Sequence, residues 1–510
     1  MISSISNDSQ FWRDLPWKKF QRHLFGLQIR VLKAKRAGDM KKMRSLQKLI
    51  FRSESARFLA VRTVTQLNKG KKTSGVDGIA SLSAKARFEL AHRLATESTN
   101  WKHSGLKNVS IPKKDGSARP LKIPTIADRA WQCLVKYVME PAHEGVFHER
   151  SYGFRPGRSA HDAQKFLFQN LSGRSRGFEK RVLELDIEKC FDRINHSSIM
   201  KMIDVPVSLK PGILRCLNSG TNPEFPKQGT PQGGVISPLL ANIVLDGIES
   251  LHQSVRYADD MIFILKPGDD EKELLLKIER FLSVRGLNMS VKKTKLTSTK
   301  NGFDFLGWHF ICQNNGKFRS FPSKGNYKNF RKKLKGVINC SHLDIASRVT
   351  KAAPIVRGWR EYHKYCKMSG KFSLWATMKR ACKVFNTKTR NKHEAVRLMN
   401  IAFPSIPYTE NSFINVKGNK TPFDGDLLYW SSRNSKRYDN YTARALKRQS
   451  NACISCGLKL IGEEDVHLHH VDGNHNNWIS SNLVAIHQSC HMNLHASMQK
   501  SEDCKVSVAG

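Results

Sequence analysis

Two adjacent aspartates inside an otherwise apolar segment constrain the fold of this chain more than any other feature. The segment Arg256–Phe263 places Asp259 and Asp260 between apolar runs. Because neighbouring residues on a strand point to opposite faces, a tight turn is needed to aim both carboxylates at one site. Taken alone, the segment is also compatible with an ordinary hairpin turn.

A second apolar strand changes that balance, because it also ends in an acid. The run Arg181–Ile187 alternates like a half-buried strand and carries Asp186 near its end. Carboxylates from two neighbouring strands can hold two Mg²⁺ ions, which prefer oxygen ligands and substrate phosphates. Two such ions about 4 Å apart activate a 3′-hydroxyl and stabilise a leaving pyrophosphate. The pattern therefore favours nucleotidyl transfer.

The charge of the chain indicates a polyanionic partner. Its 510 residues carry 86 Lys and Arg against 43 Asp and Glu, a net charge of +43. Between Lys18 and Arg62, fourteen basic residues stand against two acids, and apolar residues recur there at the spacing of two amphipathic helices. A solvated helix face is the alternative, but so large an excess favours contact with RNA or DNA.

The cellular location is constrained by what the sequence lacks. No stretch approaches the ~20 uninterrupted apolar residues of a membrane span, and the first residues do not resemble a secretory signal. An odd number of cysteines, eleven, favours a reducing compartment over a disulfide framework. We therefore expect no membrane partner and a cytoplasmic protein, nucleoid-associated in a prokaryote or organellar.

Eight sequence blocks, taken in this order, resemble the reverse transcriptases encoded within group II introns, which also act as maturases. The blocks are Gly75–Gly78, Ile111–Pro124 with Asp128–Arg129, Tyr152–Ser159, Asp186 with Phe191–Asp192, Gly229–Asn242, Tyr257–Asp260, Gly286–Leu287 with Lys293–Thr294, and Phe305–Gly307. They extend over most of the chain and do not depend on one tetrapeptide.

The resemblance implies roles for individual residues. Asp186, Asp259 and Asp260 would be the catalytic residues and the ligands of Mg²⁺. Phe191 would exclude a ribose 2′-hydroxyl, although packing in the core would also explain it. The residues implied to bind nucleotide or template are Arg119, Phe191, Gln232, Gly233 and Lys293.

The helical segment that follows resembles the maturase domain, the equivalent of a polymerase thumb. Its run Arg357–Tyr365 interleaves basic and aromatic residues, which suits stacking and backbone contacts on RNA. We expect Arg357, Trp359 and Arg360 to bind RNA. Packing of one helix on another would explain Trp359 equally well.

The C-terminal region contains two pairs of potential metal ligands with the same two-residue gap. Cys453 and Cys456 form the first pair, and His487 and Cys490 form the second. A tetrahedral Zn²⁺ ion held by three cysteines and one histidine would fit this spacing. Related intron proteins commonly have a cysteine at the position of His487, so this assignment departs from their pattern.

Between and after these pairs lies a segment similar to the HNH nuclease motif, in which a ββα unit holds a catalytic metal. By that resemblance His470 is the general base, and Asn482 fixes the loop that follows it. The implied ligands of a catalytic Mg²⁺ or Mn²⁺ are His469, His491 and His495. A structural zinc module that binds DNA without cutting is the alternative, and we expect His467 and His475 to be surface residues.

Together these likenesses predict an α+β right-hand polymerase with two further parts. Fingers and palm would occupy residues 1–310, with a basic helical portion up to about 90. An α-helical thumb (maturase domain X) would occupy 311–410, a basic DNA-binding linker 411–445, and a small zinc-stabilised ββα-metal HNH module 446–510.

The predicted function combines three activities. The protein would assist splicing of its host intron RNA and stay bound as a ribonucleoprotein, as a monomer or homodimer. It would nick target DNA and copy the RNA from that nick with dNTPs. The alternative is an RNA-binding splicing factor with vestigial polymerase or nuclease activity, although the intact Asp186, Asp259, Asp260 and His470 argue against such decay.

Overall fold

Basic helices form the N-terminal part of the protein. The computed structural model describes residues 2–112, 118–220, 224–368, 370–435, 438, 440–457, 459–460, 466–474, 477–488, 490–491 and 494. The first helices are α1 (Ile2–Asp14), α2 (Trp17–Arg36), α3 (Met40–Arg52), α4 (Glu54–Arg62) and α5 (Ala84–Thr96). Most of the apolar residues at helical spacing in α2 and α3 are buried, with Leu49 exposed, which confirms the two predicted amphipathic helices.

A two-stranded hairpin and two helices follow. They are β1 (Lys107–Pro112), β2 (Ala118–Ile123), α6 (Ile126–Glu144) and α7 (Ala160–Leu171). The two strands pair in antiparallel fashion, with Lys107 opposite Ile123. Most of α6 is buried, so it serves as the central helix against which α2, α3 and α4 pack.

A four-stranded antiparallel sheet forms the palm, with strand order β4-β5-β3-β6. Its elements are β3 (Arg181–Leu185), α8 (Cys190–Arg193), α9 (His196–Met202), α10 (Lys210–Asn218), α11 (Ser237–Leu245), β4 (Ser254–Tyr257), β5 (Asp260–Leu265), α12 (Glu271–Ser283) and β6 (Lys295–Ser298). The two apolar runs that the sequence predicts as strands are therefore neighbours, β3 and β5.

The palm sheet separates two hydrophobic cores. In β5, Met261, Phe263 and Leu265 pack into a core shared with the N-terminal helices. The alternate residues Ile262 and Ile264 pack into a second core shared with the helices that follow the sheet. Because successive strand residues point to opposite faces, both faces of the sheet are covered.

The segment predicted to be the thumb is helical. After a small sheet of β7 (Phe303–Phe305), β8 (Trp308–Cys312) and β9 (Phe318–Pro322) come α13 (Lys324–Ile338), α14 (Ile345–His363), α15 (Trp375–Thr389) and α16 (Lys392–Ala402). Leu334, Val356 and Phe385 are among the buried residues that pack these helices together.

The segment that the sequence predicts as a basic DNA-binding linker, residues 411–445, is folded against α7. It contains α17 (Leu427–Ser435) and α18 (Asn440–Arg448), and the Trp430 side chain is buried. One carboxylate oxygen of Asp162 accepts a hydrogen bond from the Ser159 amide at the start of α7. The other accepts a hydrogen bond of 2.8 Å from the Val416 amide. Arg433 completes the contact with a buried ion pair, 3.0 Å from Asp162.

The C-terminal region packs on the N-terminal helices. It contains β10 (Val466–His470) and β11 (Leu483–His487), which pair in antiparallel fashion. Cys456, Leu460 and Ile486 belong to the same core as Trp17 and Phe20. The C-terminal region therefore shares a core with α2.

Two expectations about the environment of the chain can be compared with the described residues. None of their helices combines the length and the apolar character needed to cross a bilayer. The ten cysteines among the described residues are all free thiols.

The buried Arg433–Asp162 pair predicts that the 411–435 segment stabilises the palm. Replacing Arg433 by Ala leaves the Asp162 carboxylate buried without its countercharge, which costs about 3–5 kcal/mol. We expect the apparent free energy of unfolding in a urea titration to fall accordingly. Arg397→Ala is the matched control, because Arg397 pairs with Glu394 on the surface and its loss should leave the titration unchanged. Equal stability of the two variants would contradict the prediction.

Candidate functional site

The turn between β4 and β5 carries the aspartate pair. Tyr257 pairs with Asp260, which leaves Ala258 and Asp259 as a two-residue hairpin turn. Ala258 has a φ of 59°, the left-handed conformation that such turns require. The tight turn that the adjacent acids call for is therefore present.

The third acid lies at the same end of the sheet. Leu185 of β3 pairs with Met261 of β5, so Asp186 follows β3 at the edge where β5 begins with Asp260. Asp186 is 31% exposed, Asp259 is half-buried and Asp260 is exposed. The register thus brings the three carboxylate-bearing residues to one solvent-accessible end of the strands, which we call the acid-bearing edge of the palm sheet. Oxygen ligands of this kind could hold divalent cations there.

Negative charge at this edge acts on a buried neighbour. The thiol of Cys190, in the first turn of α8, is buried, and this burial raises its pKa. Asp259 and Asp186 raise the pKa further, while Arg256 opposes them. One thiol thus lies within the electrostatic reach of acids from both strands, so their charges act on a common region.

Lys293 neutralises part of that charge. Its Nζ atom lies 3.3 Å from each oxygen of Asp186, and its side chain is 67% exposed. An exposed pair of this kind is worth only about 0–1 kcal/mol. A divalent cation could therefore compete with Lys293 for the Asp186 carboxylate at little cost.

Phe191 lies on α8 and follows Cys190, whose thiol is within the electrostatic reach of Asp186 and Asp259. Its side chain is half-buried and packs against the first core. Its carbonyl accepts a hydrogen bond of 2.7 Å from the amide of Thr230, and the amide of Gly229 donates to the carbonyl of Ile194. The loop that begins at Gly229 is therefore hydrogen-bonded to α8 and to the residue that follows it.

The same loop contacts the β1–β2 hairpin. The carbonyl of Gln232 accepts a hydrogen bond of 2.8 Å from the Lys122 amide. A Cβ atom at Gly233, where φ is 127°, would lie 2.9 Å from the Lys122 carbonyl oxygen, so glycine is required there. Arg119 pairs with Ile111 through its backbone in this hairpin, and its side chain lies outside the described residues. The structure thus brings Gln232, Gly233, Phe191 and the strand of Arg119 together.

The thumb residues do not share one environment. The Trp359 ring is buried, stacks on Phe330 at a centroid distance of 4.3 Å and contacts His363 at 4.1 Å. Packing of helix on helix therefore accounts for Trp359, and the expectation that it binds RNA is corrected. Arg360 donates to the carbonyls of Phe403 and Pro404, which makes it a structural residue as well.

An exposed aromatic residue that the sequence analysis missed lies elsewhere in the thumb. Trp375 begins α15 and is 66% exposed, and the Lys379 ammonium lies 5.0 Å from its ring centre. Arg380 and Lys383 line the same groove. The spacing of four places residues 375, 379 and 383 on one face of the helix, but the sequence alone does not show that this face is exposed. Arg357 is also exposed, and its contact with RNA stays a prediction.

The C-terminal ligands form a compact cluster. Potential ligand atoms of Cys453, Cys456, His487 and Cys490 all lie within 4.8 Å of one another, and the four residues are buried. The Cys456 Sγ atom is 3.3 Å from the His487 Nδ1 atom. Three sulfurs and one nitrogen at such separations suit a tetrahedral metal ion, and His487 occupies the fourth position.

The histidines of β10 divide between two faces. The rings of His467 and His469 lie 5.3 and 5.2 Å from the ring of His491. The adjacent residue His470 is buried and packs against Trp478 at 5.1 Å. His495 and His475 lie outside the described residues. His467, expected at the surface, is instead half-buried beside His491.

Asn482 ties down the loop that follows His470. Its Nδ2 atom donates to the Asp472 carboxylate and to the Asn477 carbonyl, both at 2.9 Å. Its Oδ1 atom accepts from the Asp472 amide at 3.0 Å. These bonds join Asp472, at the start of the loop, to Asn477 and Asn482 near its end.

Three protein-family descriptions match successive parts of the chain. Residues 12–94 match the "N-terminal domain of reverse transcriptase", and residues 111–310 match "Reverse transcriptase (RNA-dependent DNA polymerase)". Residues 327–399 match the "Group II intron, maturase-specific domain". None of these three matches extends past residue 399.

Three curated proteins are similar in sequence to this chain. The chain is 38% identical over 462 residues to Maturase-like protein 1 of Euglena gracilis, an alignment that covers 88% of this chain and 98% of that protein. The corresponding Euglena longa protein is 38% identical over 383 residues, covering 74% and 84%. Group II intron-encoded protein LtrA of Lactococcus lactis subsp. cremoris is 33% identical over 190 residues, covering 36% and 31%.

The compact Cys₃His cluster predicts one tightly held tetrahedral metal. We expect protein loaded with Co²⁺ after chelation to show the strong visible absorption of a tetrahedral thiolate complex, and this absorption should saturate at one ion per chain. Cys453→Ser should abolish that absorption, because it removes one of four ligands. Cys340→Ser, which replaces a cysteine of the thumb, is the control and should leave the spectrum intact. An octahedral spectrum, or binding that survives Cys453→Ser, would contradict the assignment.

Proposed function

The chain belongs to the reverse transcriptases and maturases of group II introns, and on that premise we propose that its palm copies RNA by two-metal nucleotidyl transfer. The observation that carries this proposal is the convergence of Asp186, Asp259 and Asp260 on one edge of the palm sheet. Bound Mg²⁺ would supply activation of the primer 3′-hydroxyl and stabilisation of the leaving pyrophosphate. The three carboxylates would hold the ions, and Lys293 would release Asp186 to them.

The surroundings of the acids would select the nucleotide. Phe191 would limit the space at the sugar 2′ position, since it lies on α8 next to the acid-bearing edge. Gln232 and Gly233 would lie against the incoming dNTP and the template. Arg119 would bind the triphosphate, for which the planar guanidinium is suited.

The thumb and the basic N-terminal helices would bind intron RNA. Arg357 and the surface formed by Trp375, Lys379 and Lys383 supply cations beside an exposed aromatic ring, a combination that suits stacking on unpaired bases. The +43 charge of the chain would supply the remaining phosphate contacts. In this role the protein would assist folding of the intron RNA, and the RNA itself would carry out the chemistry of splicing.

The C-terminal region would nick target DNA to provide the primer. His470 would act as general base, with Asn482 fixing the adjacent loop. His469 and His491, which lie together, would hold a catalytic Mg²⁺ or Mn²⁺ with His495. Zn²⁺ in the Cys₃His cluster would hold the fold of this small region. A DNA-binding module that does not cut is the second candidate.

Polymerisation and RNA binding should be separable by mutation. Asp259→Ala removes a metal ligand and should abolish primer extension on an RNA template, while affinity for intron RNA stays unchanged. Trp375→Ala should do the reverse: removal of one stacked ring weakens RNA binding by about 1–3 kcal/mol, while extension on a short homopolymer template continues. Filter binding and primer extension on both variants measure the two effects. Loss of RNA affinity in Asp259→Ala would make the palm acids structural.

The nuclease proposal is tested at His470, which is assigned as base and not as ligand. His470→Ala should leave the zinc content unchanged and lower plasmid nicking by about 10²–10⁴-fold, the usual contribution of a positioned general base. Zinc content and nicking in Mg²⁺ or Mn²⁺ are measured on both proteins. If the parent protein binds DNA but does not nick it, the C-terminal region is only a binding module. Loss of zinc from His470→Ala would mean that the two metal sites are interchanged.

A further inference from the structure

A fully buried guanidinium lies directly beneath the aspartate turn. Arg256 of β4 is 0% exposed. Its Nη1 atom donates to the carbonyl oxygen of Ala258 at 3.1 Å and to the Oδ1 atom of Asn242 at 2.9 Å. Its Nε atom donates to Glu249, whose carboxylate is also fully buried, at 2.5 Å. One side chain therefore connects the turn to two other parts of the palm.

The turn needs such support, because its conformation is unfavourable for alanine. Ala258 adopts a φ of 59°, which crowds its Cβ atom against the backbone. Glycine is absent from the turn, so contacts outside it must hold this conformation. The bond from Arg256 to the Ala258 carbonyl fixes the peptide unit that joins Ala258 to Asp259.

The backbone around Arg256 is itself clamped by the Tyr152 segment. The Arg256 amide donates to the carbonyl of Arg150, and the Tyr152 amide donates to the carbonyl of Arg256. Gly153 lies so close to the turn that a Cβ atom there would be 2.3 Å from the Ala258 amide nitrogen.

Asn242 closes the arrangement. Its Nδ2 atom donates to the Gly153 carbonyl at 2.8 Å, and its Oδ1 atom accepts from Arg256. The guanidinium thus holds the Ala258 carbonyl, Asn242 and Glu249 together through directed hydrogen bonds, and Asn242 extends this contact to Gly153.

From these contacts, and resting on the proposed polymerase function, we infer that Arg256 is a positioning residue for polymerisation, which holds the Ala258 peptide so that Asp259 and Asp260 present their carboxylates to metal ions together. A parent protein that extends no primer would overturn the proposed function itself, whereas a change confined to the Arg256 variant tests this inference. Arg256 does not touch the substrate in this role. It acts through the turn, and the buried Glu249 balances its charge so that the guanidinium does not repel the cations. Lysine cannot replace it, because one ammonium cannot reproduce the planar fork that reaches Ala258, Asn242 and Glu249 at once.

The test is Arg256→Lys in the full-length protein, which retains the buried positive charge. Primer extension is measured against Mg²⁺ concentration and against dTTP concentration on poly(rA)·oligo(dT). We expect the Mg²⁺ concentration for half-maximal activity to rise severalfold. We expect kcat to fall by about 10²-fold, the usual effect of a ~1 Å misplacement of reacting groups, with little change in the KM for dTTP.

Arg433→Lys is the matched control. Arg433 is also buried, lies 3.0 Å from the Asp162 carboxylate of α7, and donates a further hydrogen bond to the carbonyl of Gly157. Both variants should lose thermal stability to a similar extent. Only Arg256→Lys should change the Mg²⁺ dependence.

The inference fails if the two variants have the same Mg²⁺ half-activation as the parent, since Arg256 would then only stabilise the fold. If Arg256→Lys does not fold, Asn242→Ala decides the matter. That change removes a neutral acceptor from the same Nη1 atom without unbalancing a buried charge. It should raise the Mg²⁺ half-activation in the same direction, and an unchanged value would overturn the inference.

Discussion

Burial of both faces of the palm sheet is the constraint on which the rest of the structure depends. β5 sends Met261 and Phe263 into one core and Ile262 and Ile264 into the other. The N-terminal helices and the C-terminal region are built around the first core, and the thumb around the second. A sheet covered on both faces leaves its strand ends as the places where polar groups reach solvent. The three acids lie at such an end.

Acids are scarce in this chain, and three of the buried carboxylates neutralise buried arginines. In a chain with 86 basic and 43 acidic residues, Glu144, Glu249 and Asp162 each pair with a buried arginine inside or beside the palm. These pairs fix the positions of the segments that carry them, because a buried charge demands its partner. The unpaired basic excess is left for the surface, where it is available to phosphates.

The shared core also relates the parts of the molecule to one another. The Lys459 amide donates to the Gln21 side chain at 2.9 Å, and the cysteine-rich cluster continues the hydrophobic core of α2. The segment after the thumb returns to the palm through Val416 and Arg433. Under the proposed function, the region that would nick DNA and the palm that would extend the nick are therefore held on one scaffold.

Local sequence determined the strands, the amphipathic helices, the positions of Asp186, Asp259 and Asp260, and the grouping of Cys453, Cys456, His487 and Cys490, because each depends on spacing within a short segment. Tertiary structure alone decided which polar and aromatic residues are buried. Trp359 and Trp375 both lie in basic helices, yet one is enclosed by Phe330 and the other is exposed. Likewise the sequence does not distinguish Arg256 and Arg433 from the many other cations. The structure does, because it buries them in ion pairs with Glu249 and Asp162. The physical reason is that burial is set by contacts between segments distant in sequence, which no local pattern encodes.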